Sequence, residues 1–177
     1  RDAQESRGLG DVYKRQFSGC AATSTPAPYN FARLTVNRGA GSAANFQTVT
    51  PEQMWGPMGS PYNRYNDALV NAEKLRGTKL YISTATGLAA KEDMVGYIAS
   101  QGYSQAAASG AALTLQVEGG VIEAAINSCN HDLRAKLTKL NIPAHYEFRN
   151  TGTHSWPVWR KDLENSWYKT IKPAFNM

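Results

Sequence analysis

Apolar residues recur along this chain with two different periods, and the changes of period divide it into elements. Val121, Ile122, Ala125, Ile126, Cys129, Leu133, Leu137 and Leu140 keep the spacing of one helix face. They predict the longest helix, opening at Gly119 and Gly120 and closed by Asn141, Ile142 and Pro143. From Ala144 to Arg149 the period drops to two, the alternation of a half-buried strand. Gly152 then makes a turn, and Trp156, Trp159, Leu163 and Trp167 return to helical spacing, predicting a helix from about Ser155 to Lys169. His154 therefore falls on a short loop between a strand and a helix, where an open parallel sheet presents its reactive side chains.

Upstream, Leu80 to Thr84 has the β-branched and aromatic content of a core strand, with Gly87 at the rim of the sheet. A helix is expected over Asn66 to Lys74, with Ala68, Leu69 and Ala72 apolar and Gly77 ending it. Lys91 to Gln101 can form another helix or a helical excursion, and the Ala- and Gly-rich run Gly102 to Ala112 reads as a mobile linker or lid. Thr50, Pro51 and Gln53 form a helix start that Gly56, Pro57, Gly59 and Pro61 cut short, leaving Met54 and Trp55 as packing residues. Tyr29 to Arg38 can make a short helix, and Phe17–Gly19 reads as the end of a strand. Helices leading repeatedly into strands define an α/β class with a mostly parallel sheet.

The 177 residues suffice for one domain with a core, or for part of a larger one. The net charge of +5 is scattered, and no basic stripe with interleaved aromatics accompanies it, so nucleic acid is not an expected partner. No apolar run reaches the roughly 18 residues of a transmembrane helix. Residues 1–16, RDAQESRGLGDVYKRQ, are polar and without periodicity. They read as a disordered tail or as a non-native segment, since 8–16 resembles translated adapter sequence at the ends of metagenomic reading frames, and they are excluded from functional reasoning. Residues 17–170 are taken as one domain portion and 171–177 as a loose tail. The three histidines and two cysteines lack metal-ligand spacing, so no metal is expected, and His131 and His145 read as surface residues.

Strand, acidic region, long helix, strand, histidine loop and helix follow one another as in the carboxyl-terminal half of an α/β-hydrolase. That fold orders its triad Ser, then Asp or Glu, then His, with the serine in G-x-S-x-G. The motif is absent from this sequence: Gly41-Ser42 and Gly59-Ser60 lack the second glycine. Met54-Trp55-Gly56-Pro57, Asn66 to Leu69 leading into Leu80-Tyr81-Ile82, and Gly152-Thr153-His154-Ser155-Trp156 with Trp159 and Leu163 resemble the mycolyltransferases of the antigen 85 type. Phe17-Ser18-Gly19 fits the strand after the nucleophile elbow of that family, and the corynebacterial branch is the more similar.

What this resemblance implies is a secreted or cell-envelope serine acyltransferase, in an expected carboxyl-terminal fragment that lacks its nucleophile and is inactive alone. The parent would carry a mycolyl-type acyl group from a trehalose ester to trehalose or cell-wall arabinogalactan, without a cofactor. His154 matches the family's catalytic histidine, suited to carrying the proton of the serine hydroxyl. Glu123, 31 residues before it, matches the triad acid, while a generic α/β-hydrolase pattern nominates Glu92 or Asp93 instead. Trp156 matches a tryptophan near the sugar site, or else faces the core; Trp159 and Trp167 are assigned to packing. Cys20 and Cys129 are either free thiols or, as in secreted enzymes, a disulfide. A carboxylesterase of the same fold and a non-catalytic carbohydrate- or matrix-binding relative remain as alternatives.

Overall fold

The computed structural model describes residues 52–53 and 56–175. The expected strand at Phe17–Gly19, the helix at Tyr29 to Arg38, Thr50, Pro51, Met54, Trp55 and Cys20 lie outside these residues. The described chain forms two compact units, one of residues up to Gly77 together with His131–Ile142, the other of Thr78–Asn130 together with the residues from Pro143 onward.

In the first unit, Gly56 and Gly59 take φ of +73° and +77°, and Ser60 then caps α1, Pro61–Asn66, by accepting the Asn63 N–H at 3.2 Å. Residues 56–60 are non-helical, and Pro61 starts a new helix after them, because its missing N–H costs nothing in the first turn. The helix expected over Asn66 to Lys74 does not form. Asp67 Oδ1 accepts the N–H groups of Leu69 and Val70 at 2.8 and 3.2 Å, and Asn71 Nδ2 donates to the carbonyls of Arg64, Tyr65 and Asp67. These side chains take the backbone groups a helix would need. Only a 3₁₀ turn, Ala72–Leu75, follows. Burial pushes the Asp67 carboxyl above its ordinary range, against the pull of the Val70 and Leu69 amides.

The second unit contains β1, Tyr81–Ala85, and β2, His145–Arg149, paired in parallel with Tyr81 opposite His145 and Ala85 opposite Arg149. Among the described residues these two strands are the whole of the sheet, with helices between and after them. β1 is buried from Ile82 onward, whereas β2 is half-buried throughout, so its alternating sequence does not become alternating burial. A 3₁₀ turn, Lys91–Asp93, leads into α2, Val95–Ser100.

The run read as a mobile linker is a helix instead. α3, Gln105–Thr114, is capped by Ser104, continues through a π turn, Leu115–Gly119, and enters α4, Gly120–Lys139. Alanine is the strongest helix former, and buried Ala108 and Ala112 let α3 seat closely on Ile98, with Val95, Ala99, Ala111 and Leu115 around them. Gly110 has open space where a Cβ would stand. Gly110→Ala is expected to raise stability by about 0.5–1 kcal/mol, read as a higher thermal midpoint.

At its far end α4 closes with Asn141 at φ +54°, whose N–H reaches the Thr138 carbonyl while that of Ile142 reaches Leu137 at 2.9 Å. That is a Schellman closure with asparagine in the left-handed position. Cys129 on α4 is disulfide-bonded; its expected partner, Cys20, lies outside the described residues.

α5, Trp156–Ser166, buries Val158, Asp162 and Ser166, while Trp156, Leu163 and Trp167 are exposed. Trp156 and Leu163, with Trp167 just past the helix, therefore mark its solvent side, while Trp159 is half-buried; Trp167 is not a packing residue. A π turn, Trp167–Ile171, leads into a last helical turn, Lys172–Ala174, that falls within the expected loose tail 171–177. No helix among the described residues is long and apolar enough to cross a membrane.

Candidate active site

Three glycines let β1, α4 and the histidine loop approach one another. Gly87 follows β1 with φ +87°, and a Cβ there would stand 2.2 Å from the Gly120 carbonyl oxygen. Gly87 N–H donates to Gly152 O at 3.0 Å, and Gly152 N–H to Leu88 O at 2.6 Å. Gly152, at φ +131°, would place a Cβ 3.0 Å from that of Ala85. Loop, strand end and helix start thus meet backbone to backbone, with no room for side chains between.

Glu123 lies one turn into α4, only 4% exposed. Its Oε1 accepts the Ala85 N–H at 2.9 Å and the Thr84 hydroxyl at 3.3 Å. Its Oε2 stands 3.1 Å from His154 Nδ1. A carboxylate offers only acceptors, so the ring nitrogen facing it carries the hydrogen. Nε2 is then the nitrogen left to accept a proton, and no hydrogen bond reaches it among the described residues. The His154 side chain is 32% exposed, and its ring meets Trp159 edge to face at 4.4 Å.

The other nominated acids stand elsewhere. Asp93 is fully buried, with Oδ2 accepting from Ala90 N–H at 2.9 Å and Thr153 N–H at 3.1 Å, and Oδ1 from the Thr153 hydroxyl at 2.8 Å. It grips the residue beside the imidazole, not the imidazole. Glu92 is half-buried on the same turn. Trp156 is 70% exposed and lies edge to face with Trp159 at 5.2 Å. It does not face the core. His131 is exposed; His145 is half-buried, stacked on Tyr81 at 5.2 Å. Among the described residues no cluster of His, Cys, Asp or Glu is arranged to hold a metal ion.

Sequence reasoning missed a second charged pair. Asp162 on α5 is buried and ion-paired to Arg149 at the end of β2. Burial pushes the Asp162 carboxyl up, opposed by Arg149 and Ser83, while the nearby Glu123 charge adds to the rise. Hydrophobic periodicity carries no signal for an aspartate on a buried helix face. The i, i+4, i+8 row of Val158, Asp162 and Ser166 was the one trace of it. Also unforeseen was Gly119 O, which accepts the His154 N–H at 3.2 Å.

The arrangement can accept a proton at Nε2, stabilise the resulting imidazolium through Glu123, and return the proton. Neither a family model nor a curated protein matches the sequence.

Proposed function

We propose that these residues form the acid–base part of an α/β-hydrolase-type serine acyltransferase resembling the trehalose mycolyltransferases. The observation that carries the reading is the 3.1 Å approach of Glu123 Oε2 to His154 Nδ1, with Glu123 tied to the end of β1. In that role Nε2 takes the proton as a serine oxygen bonds to the acyl carbon of a trehalose ester. It returns the proton to the sugar oxygen when the acyl–oxygen bond breaks. A second sugar hydroxyl, activated the same way, then takes the acyl group from the serine. The serine would come from a G-x-S-x-G outside the present sequence, and no cofactor takes part. The disulfide at Cys129 supports an oxidising compartment, secreted or at the cell envelope.

Sequencing the source DNA upstream of the Phe17 codon tests this. An elbow motif a short strand-helix-strand before Phe17, in a protein that transfers acyl groups from a trehalose ester to trehalose, supports it. Release of free acid alone points to the carboxylesterase, and a natural parent without the serine overturns both.

The exposure of Trp156 beside Trp159 favours a second reading, carbohydrate binding without catalysis, since an indole face can stack on a sugar ring. In that case trehalose is expected to change the tryptophan fluorescence of this chain, and Trp156→Ala to abolish the change. A flat titration of the wild type rejects this reading.

A further inference from the structure

Asp93 belongs to neither partner of the Glu123–His154 couple, yet it is bonded toward both. Its carboxylate takes both donors of Thr153, the residue before His154, across 60 positions of sequence. Its own backbone carbonyl accepts Gln116 Nε2 at 3.1 Å, and Gln116 lies in the π turn that runs directly into α4 and Glu123. A second strut crosses the same gap, from His154 N–H to Gly119 O in that π turn. The short 3₁₀ turn Lys91–Asp93 is itself held by the bond from Ala90 N–H to Asp93 Oδ2. Asp93 and Thr153 are both fully buried, so water does not compete for these bonds.

We propose that Asp93 is a positioning residue, a buried brace that sets the separation of Glu123 and His154 by holding Thr153 against the turn that leads into α4. The inference rests on the acid–base reading above. Gly152 is fixed by its backbone bonds to Gly87 and Leu88, and beyond it the loop is held by the Asp93–Thr153 bonds and the one from His154 N–H to Gly119 O. With the Asp93 bonds gone, a small shift of Thr153 carries the imidazole away from Oε2. Once Nδ1 leaves the carboxylate, nothing favours its hydrogen over one on Nε2, and the base is lost although both residues remain.

The tautomer of His154 reports this directly in the protein as it stands. Nitrogen-15 spectra of the imidazoles, assigned with His154→Gln, are expected to show neutral His154 of the wild type hydrogenated at Nδ1. In Asp93→Asn and in Thr153→Val the ratio of Nδ1–H to Nε2–H forms is expected to fall roughly tenfold, the scale of one lost buried hydrogen bond. Thr153→Ser, which keeps the hydroxyl, is expected to restore it. If Asp93→Asn does not fold, the valine and serine variants of Thr153 decide the matter alone. A wild-type-like ratio in folded Thr153→Val overturns the brace and leaves the acid–base reading intact. An Nε2–H wild type overturns both.

Discussion

Gly87→Val is expected to lower the unfolding free energy by about 4 kcal/mol, combining left-handed backbone strain with overpacking against a helix. The position requires φ +87°, which a β-branched residue strongly resists, and its Cβ would stand 2.2 Å from Gly120 O, 3.0 Å from Ala124 N and 3.1 Å from Ala124 Cβ. All but the last are backbone atoms, which cannot swing aside. Gly77→Ala separates the two contributions. Its φ is +83° with nothing within 4 Å of the added Cβ, so conformational strain alone is expected to cost about 1 kcal/mol. Urea unfolding of the two variants measures both, and equal losses would refute the close approach of β1 and α4. The damage at Gly87 also reaches the candidate site, because the displaced helix carries Glu123 away from Ala85 N–H.

Arg149→Met is expected to cost about 3 kcal/mol near neutral pH, since it leaves Asp162 buried without its cation. The loss should depend on pH in a defined direction. Burial already holds the folded-state Asp162 carboxyl above its ordinary value, so the native protein binds a proton more readily than the unfolded chain. The stability linked to this group is present below the ordinary aspartate range and is lost as pH rises through the folded value. Removing Arg149 removes the strongest pull against burial and raises that value further. The defect of Arg149→Met is therefore expected to be small near about pH 4 and to grow toward about pH 7, as Asp162 is forced to ionise unpaired. Arg149→Met combined with Asp162→Leu should recover most of the loss at neutral pH. A defect of the same size at both pH values would show that Arg149 acts by packing alone.

Legibility in the sequence followed the length of the periodic pattern. Long α4 was readable because eight apolar positions in succession agree on one face, and its end was marked by residues suited to a left-handed closure. Short segments were governed by single side chains. Asp67 and Asn71 took backbone groups from an expected helix, and Ser60 with Pro61 started an unexpected one after the non-helical residues 56–60. At Gly102 to Ala112 composition misled, because alanine-rich sequence is both low in complexity and strongly helical. Along α5 and its continuation, Trp156, Leu163 and Trp167 of the conspicuous periodic row turned out to be exposed, while the buried row contained an aspartate and a serine.

The sequence by itself determined the local order: β1, the long helix with Glu123 in its first turn, β2, and a glycine-turned loop placing His154 before α5. These follow from spacing, capping and propensity, which act over a few residues. Only the tertiary structure decided which of three acids faces the imidazole, that Asp93 holds Thr153 instead, and that Asp162 lies buried against Arg149. Each of those outcomes depends on hydrogen bonds between groups 13 to 60 residues apart. The approach of Glu123 to His154 also needs glycines 87, 120 and 152 to let three backbones come within contact, a condition no local pattern encodes.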